Sequence, residues 1–243
     1  MARAIVLTYH NIGIPPRGTG MPGLYVTPRM FRFQMWYLKI AGFKVVSLRD
    51  ILKFVRGESH SNKLVAITFD DGFQDFYDNA YPVLKMYKYP SAVFLVSDLT
   101  GKENIWDYKK IKDRKRLLDW DKILELKNDG VIFGSHSKTH RSLTSLSEKE
   151  LKDETEGSKK AIEERLKSPV EFFCYPYGDY SEEARSAVKE AGYSAAITTR
   201  RGYVLMNDNP FEIRRVSIKL NTHPLSFLYK LHVNYKARDG LKV

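Results

Sequence analysis

The feature that most constrains the fold is a regular alternation of short apolar runs with longer amphipathic stretches. The apolar runs have the length and the β-branched composition of buried strands, and the amphipathic stretches are typical of helices that cover a sheet. The sequence predicts strands over residues 4–9, 43–46, 64–69, 91–96, 131–135, 170–174, 194–198 and 213–218. Predicted helices cover residues 28–41, 47–56, 75–87, 119–129, 147–167, 181–191 and 224–231. Strands joined through helices run parallel, so we predict an α/β fold.

The number of strands favours a barrel over an open sheet. About eight strands in a chain of 243 residues match the size of a single (β/α) barrel. The last linkage, residues 199–212, has no clear helical pattern, so we expect a distorted or incomplete barrel of about seven to eight strands. There is no internal repeat and no low-complexity linker, and residues 1–243 are therefore expected to form one domain.

Composition excludes several classes of protein. Cys174 is the only cysteine, which excludes an intrachain disulfide and a cysteine-rich zinc site. No apolar run reaches the roughly 18 residues of a membrane span. The first residues enter a strand-like run without the pattern of a secretory signal, which by itself indicates a cytoplasmic protein. A signal already removed would leave the same picture, so the location stays open.

The chain is strongly basic. Its 40 Lys and Arg against 29 Asp and Glu give a formal net charge of +11, and part of this charge lies in the run from Lys109 to Arg116. Such a run can bind nucleic acid, anionic lipid or an acidic wall polymer, but it is more often a solvated face. Because no nucleic-acid motif accompanies the charge, we do not expect a nucleic-acid partner, and the oligomeric state stays open.

Polar residues follow four of the predicted strands at the point where each strand ends. They are Tyr9-His10, the adjacent carboxylates Asp70-Asp71, His136, and the segment from Tyr175 to Gly178. The carboxyl ends of barrel strands converge on one face, where active sites lie. Neighbouring carboxylates repel each other and are poor core material, and a metal ion commonly compensates them.

A metal site can be assembled from these residues. His136 and His140 are four residues apart, so on a helical turn both imidazoles would face the same way. One carboxylate, for which Asp71 is the better candidate, would complete an Asp-His-His set that leaves a position for water. Asp70 would then serve as a general base. The alternatives are surface histidines that form hydrogen bonds and an Asp-Asp-Gly turn.

Three motifs resemble those of the polysaccharide deacetylases (NodB-homology domain, carbohydrate esterase family 4). They are Thr68–Gly72, Ser135–His140 and Phe173–Gly178, which occur in the family's order within a resemblance that runs from about residue 5 to residue 218. The resemblance implies a distorted (β/α) barrel. It also implies metal-dependent removal of N-acetyl groups from an N-acetylated glycan substrate.

The resemblance also implies roles by position. Asp70 would be the base, Asp71, His136 and His140 the metal ligands, and the backbone N–H of Tyr177 a donor to the oxyanion. An Asp-His-His set suits Zn²⁺ first, with Co²⁺, Ni²⁺ or Fe²⁺ as alternatives.

Two positions depart from the family pattern. Many members carry an arginine that restrains the base where this chain has Cys174. Arg214 or Arg215 could replace it, but strand alternation allows only one of them to point inward, and both could lie on the surface. The late motif with a histidine acid is also unclear. His10 is our candidate, because the poly-N-acetylglucosamine deacetylase branch has a similar Tyr-His segment at its start; His223 is the alternative.

Aromatic residues near the motifs could stack on sugar rings. Phe73, Trp106 and Tyr175, with Pro176 beside them, are the candidates for substrate contact. Two other functions stay open: hydrolysis of a small or non-sugar amide by the same metal, and glycan binding without catalysis on the same fold.

Overall fold

The computed structural model describes residues 2–106 and 114–233. Its strands are β1 (Arg3–Tyr9), β2 (Asn11–Ile12), β3 (Tyr25–Val26), β4 (Lys44–Val45), β5 (Leu64–Phe69), β6 (Ala92–Leu95), β7 (Ile132–Ser135), β8 (Phe172–Cys174), β9 (Ala195–Arg201), β10 (Val204–Leu205) and β11 (Ile213–Ser217). Its α-helices are α1 (Pro28–Ile40), α2 (Leu48–Val55), α3 (Tyr81–Tyr87), α4 (Trp120–Asn128), α5 (Glu148–Lys152), α6 (Ser158–Leu166), α7 (Glu182–Glu190) and α8 (Pro224–His232). Most of the basic run, residues 109–113, lies outside the described residues.

Two of the predicted helices contain a π-helical segment. Phe76–Ala80 precedes α3, and Asp153–Gly157 joins α5 to α6. A π turn accommodates one extra residue per turn and is common at functional sites. The predicted helix over 147–167 is therefore one continuous helix, in which a π-helical segment separates two α-helical parts.

Seven parallel strands close a barrel in the order β1, β5, β6, β7, β8, β9, β11 and back to β1. The closure is a pairing of β1 with β11, in which Leu7 lies opposite Val216. Two further strands of this sheet lie outside the ring: β4 pairs in parallel with the start of β5, and β10 runs antiparallel to the start of β1. The remaining strands, β2 and β3, pair with each other in a separate two-stranded sheet. The prediction of a distorted (β/α) barrel is confirmed, and the linkage after β9 contains β10 where a regular barrel would have a helix.

Strand alternation decides what fills the barrel. Ala4 and Val6 of β1, Ala66 of β5 and Phe94 of β6 pack in the interior cluster, which residues of α2 join. Gly134 of β7 belongs beside them, since a Cβ there would lie 2.6 Å from ring atoms of Phe94. The residues of opposite parity, such as Leu7 and Ile67, pack with the surrounding helices.

The same alternation aims the polar residues at the strand ends. His10 continues the interior series Ala4, Val6 and Thr8, and Asp70 continues Leu64, Ala66 and Thr68. Because side chains alternate with a period of two, residues in these series stand over the barrel interior. Cys174 of β8 and Ile213 of β11 lie in the interior cluster, so Arg215 also points inward.

Within the described residues, no helix is both long and apolar enough to cross a bilayer.

Candidate active site

Asp71, His136 and His140 place three donor atoms close together at the carboxyl end of the barrel. Asp71 Oδ1 lies 3.4 Å from His136 Nε2 and 3.2 Å from His140 Nε2, and all three residues are buried. Donor atoms bound to a tetrahedral ion at about 2.0–2.1 Å stand about 3.3 Å from each other. The three residues therefore have a spacing at which they could hold a metal ion.

The protonation of His136 follows from its other nitrogen. Nδ1 lies 2.7 Å from the backbone oxygen of Cys174, which can only accept a hydrogen bond. Nδ1 therefore carries the proton, and the Nε2 lone pair faces Asp71. A lone pair directed at a carboxylate oxygen is unfavourable unless a cation or a proton lies between them, and a carbonyl on Nδ1 is the arrangement that orients metal-bound histidines.

The two histidines meet through a loop and not through a helical turn. Ser137 and His140 have left-handed backbone conformations, with φ of 65° and 64°. The N–H of His140 donates to Ser137 Oγ at 3.0 Å, which closes the loop on itself. The helical turn considered for this segment is wrong, because two left-handed residues reverse the chain and bring the rings together at 4.8 Å.

Adjacent aspartates acquire different surroundings because the chain turns between them. Asp70 still follows the alternation of β5, whereas Asp71 and Gly72 have φ of 70° and 69°. That turn directs Asp71 toward the histidines. A Cβ on Gly72 would lie 2.9 Å from the side chain of Leu95, so the turn also needs a residue without a side chain.

Asp70 is held by Arg215. Nη1 of Arg215 donates to Asp70 Oδ1 at 2.7 Å, and its Nε donates to the backbone oxygen of Thr198 at 2.7 Å. Burial alone would raise the pKa of Asp70, but Arg215, followed by His10 and His136, holds that pKa well below its usual range. Arg214 is only half-buried, so Arg215 is the cation that pairs with Asp70.

Cys174 lies beneath this ion pair. Its thiol is buried 3.6 Å from Asp70 Oδ1, and burial raises the pKa of the thiol well above its ordinary value. The cysteine is therefore a neutral thiol that packs against the carboxylate, in agreement with the interpretation of Cys174 as a small packing residue.

His10 lies next to Asp70, with Nε2 3.7 Å from Asp70 Oδ2. Burial lowers the pKa of His10, and the charges of Asp70 and Asp71 oppose that shift. The alternative, His223, is exposed and caps the N-terminus of α8, where its ring accepts a hydrogen bond from the N–H of Ser226. Of the two histidines, His10 is the one that lies beside Asp70.

Tyr177 forms one wall of the site. Its backbone is left-handed, with φ of 59°, and its ring meets that of His140 edge to face at 4.7 Å. The side chain is 43% exposed, which is unusual among the aromatic residues near the site. The role of its backbone N–H at an oxyanion stays a prediction.

The four residues predicted to touch the substrate are packed against protein. Tyr175 stacks on Tyr180 and donates its hydroxyl to the backbone oxygen of Phe211. Phe73 and Trp106 share a small apolar cluster, and Trp106 also stacks on His140 at 4.4 Å. Pro176 is buried as well. Apolar neighbours and His140 cover their rings in this structure, and sugar stacking by these residues stays a prediction.

Lys115 is a site residue that sequence reasoning missed. It belongs to the basic run interpreted as a solvated face, yet its Nζ donates to Asn11 Oδ1 and to Asp75 Oδ2, each at 2.6 Å. Asn11 directly follows His10, so this lysine ties the segment after residue 113 to the strand end that bears the histidine. Asp75, which follows the Asp70-Asp71 motif closely in sequence, was the one available sign of a buried partner for Lys115. The spacing alone could not pair the two residues, because 40 residues separate them.

The chain is similar to known proteins in sequence and in fold. The family model for polysaccharide deacetylases matches residues 57–196. The poly-beta-1,6-N-acetyl-D-glucosamine N-deacetylase of Staphylococcus aureus (strain MSSA476) is 28% identical over 196 residues, which cover 79% of this chain and 67% of that protein.

Two solved structures share the fold. The deacetylase PplD of Streptococcus pyogenes, solved in complex with acetate, superposes with a TM-score of 0.83 at 24% identity, over 95% of this chain and 99% of that one. IcaB from Ammonifex degensii gives a TM-score of 0.82 at 24% identity, over 95% of this chain and 98% of that one. The family match covers more than half of the chain and includes Asp70, Asp71, His136, His140 and Cys174. The chain therefore belongs to the polysaccharide deacetylase family.

Proposed function

We propose that this protein is a metal-dependent hydrolase that removes N-acetyl groups from polysaccharide containing N-acetylglucosamine. The observation that carries the proposal is the convergence of two sets of groups at one end of the barrel. One set, Asp71, His136 and His140, suits a divalent cation, and the other, Asp70 and His10, suits proton transfer. The named activity of the Staphylococcus aureus relative supports the substrate class.

The metal set fits Zn²⁺ by the chemistry of its donors. Two imidazole nitrogens and one carboxylate oxygen are common zinc ligands, and three protein ligands are typical of catalytic sites. The hydrogen bond from His136 Nδ1 to the oxygen of Cys174 fixes the required tautomer. When bound, the ion would polarise the acetamide carbonyl and lower the pKa of the attacking water, which makes it easier for the ionised Asp70 to accept a proton as the new C–O bond forms.

Asp70 would take the proton of that water. The ion pair with Arg215 keeps this carboxylate ionised, and its second oxygen, Oδ2, faces His10. Because the pKa of Asp70 is held low, a proton on its carboxyl would pass readily to an imidazole, the stronger base. The 3.7 Å between Asp70 Oδ2 and His10 Nε2 needs only a small approach for that transfer.

His10 would then protonate the leaving amine. In this scheme one proton travels from water to Asp70, to His10 and to the amine nitrogen, so the lowered pKa of His10 is compatible with its role as an acid. The backbone N–H of Tyr177 would hold the negative oxygen of the tetrahedral intermediate, as the family resemblance implies.

Acetate release tests the proposal. The zinc-loaded protein should release acetate from β-1,6-linked and β-1,4-linked oligomers of N-acetylglucosamine, assayed side by side, and should leave simple acetamides intact. Release from acetamides alone would support the small-amide alternative. Zinc binding without acetate release from any N-acetylated glycan would support a glycan-binding protein and contradict the proposal.

A further inference from the structure

The loop that carries both histidines, residues 136–140, is fastened by a carboxylate from a neighbouring helix. Glu154 Oε2 accepts hydrogen bonds from the backbone N–H groups of Lys138 and Thr139, each at 2.9 Å. Its other oxygen, Oε1, accepts from the hydroxyl of Thr139. One side chain thus binds the two residues that lie between Ser137 and His140.

Glu154 is placed for this contact by its helix. It lies in the π-helical segment Asp153–Gly157 and is only 3% exposed. A buried carboxylate is costly unless its oxygens are hydrogen-bonded, and all three of the donors described here come from the loop. The widened turn and the buried charge therefore serve the same contact.

The loop needs external support because its conformation is strained. Ser137 and His140 both have positive φ, a backbone conformation that is unfavourable for residues other than glycine. Two more contacts reinforce the same junction. Ser158 Oγ lies 2.8 Å from Oγ of Ser135, the residue before His136, and Lys138 Nζ pairs with Asp153 at 2.9 Å.

We propose that Glu154 is a positioning residue that holds His136 and His140 in the geometry required for metal binding. This inference rests on the metal site of the proposed function. Glu154 touches neither the metal donors nor the reacting atoms; it acts through the backbone of Lys138 and Thr139. Groups that hydrogen-bond metal-ligating side chains change metal affinity by about 10–100-fold when they are removed, and we take this range as the scale for a group that holds the loop bearing both histidines.

Zinc affinity, measured by competition with a chelator of known affinity, tests the proposal without an activity assay. We expect Glu154→Ala to bind Zn²⁺ about 10–100-fold more weakly than the wild type. Glu154→Gln should stay within about threefold of the wild type, because its amide oxygen can still accept both backbone N–H groups. The matched control is Glu163→Ala. Glu163 of α6 is also a helix carboxylate that accepts a hydrogen bond from a backbone N–H, that of Val170 at 2.8 Å, but Val170 lies outside the loop that carries the histidines.

The outcomes separate the two proposals. If the wild type does not bind Zn²⁺, both fail. If the wild type binds and Glu154→Ala binds as tightly as Glu163→Ala, the role of Glu154 is overturned and the proposed function stands.

Hydrogen exchange keeps the test decisive if Glu154→Ala does not fold. In the metal-free wild type, the amides of Lys138 and Thr139 should exchange at least roughly 100-fold more slowly than in an unstructured chain. Exchange at the unstructured rate would show that the hydrogen bonds from Lys138 and Thr139 to Glu154, the Glu154 clamp, are not formed, and would overturn the proposal.

Discussion

Replacement of Arg215 by methionine would leave the proposed base as a buried charge without its cation. The substitution keeps a side chain of similar length but removes the donor 2.7 Å from Asp70 Oδ1. Arg215 and Asp70 are 1% and 2% exposed, so water cannot replace the guanidinium without opening the barrel. Breaking a buried pair in this way typically costs about 3–5 kcal/mol.

The size of the effect on Asp70 follows from electrostatics. Two unit charges about 4 Å apart in a medium of effective dielectric constant about 20 attract by about 4 kcal/mol, which corresponds to about three pKa units. Among the groups that lower the pKa of Asp70, Arg215 is the strongest. Without it, the effect of burial prevails, and the pKa of Asp70 should rise above its usual value.

The dependence of stability on pH should therefore change sign. In the wild type the depressed pKa of Asp70 contributes stability above about pH 4, and this contribution is lost as the pH falls through the folded-state value. In Arg215→Met the raised pKa makes the ionised carboxylate destabilising at neutral pH, and lowering the pH should relieve part of the loss. The acid limb of kcat/KM should move to higher pH, because a protonated Asp70 cannot act as a base.

Urea unfolding of the metal-free protein at pH 7 and pH 5, together with the pH profile of acetate release, measures both effects. Arg214→Met is the matched control, since Arg214 is the half-buried neighbour on the same strand. Arg215→Met with Asp70→Asn should recover most of the lost stability, because no charge then remains buried. If Arg215→Met unfolded like Arg214→Met and kept its acid limb, the restraint of Asp70 by Arg215 would be refuted.

Two further predictions follow from the site. Turnover of acetate release should fall at least about 100-fold in His10→Ala, since general acid catalysis contributes about 10²–10⁴-fold. It should stay near normal in His223→Ala, because His223 caps α8. Near-normal turnover in His10→Ala would remove His10 as the acid. Tyr175→Phe should lower the free energy of unfolding by about 0.5–1.5 kcal/mol through loss of the hydrogen bond to Phe211, and KM should not change. A raised KM with unchanged stability would instead indicate that Tyr175 contacts the substrate.

The sequence was sufficient to predict the barrel and the convergence of the polar residues that follow its strands. Apolar runs such as Leu64–Phe69 can be identified as buried strands without knowing which strands they pair with. Because Asp70-Asp71 and His136 follow such strands, the sequence predicted that these polar residues converge at one end of the barrel. The choice between Arg214 and Arg215 could not be made from the sequence. It depended on which parity of β11 faces inward, and this emerged only from the packing of Ile213 in the interior.

Exposure and long-range contacts were the parts that sequence reasoning could not predict. Phe73, Trp106 and Tyr175 lie in motif segments, but whether a ring faces solvent depends on neighbours distant in sequence, such as Phe211 for Tyr175. Lys115 was interpreted as surface charge because its partner Asp75 lies 40 residues away. The clamp formed by Glu154 likewise depends on a π-helical segment, which periodicity of apolar residues does not reveal.

Metal content and turnover of two single-atom variants, Asp70→Asn and Asp71→Asn, test the central claim most directly. Asp71 faces His136 and His140, whereas Asp70 faces Arg215 and His10. Asp70→Asn should therefore bind Zn²⁺ as the wild type does and release no acetate, and Asp71→Asn should lose tight zinc binding. Equal loss of metal in both variants would contradict the division of the two adjacent aspartates into a base and a ligand.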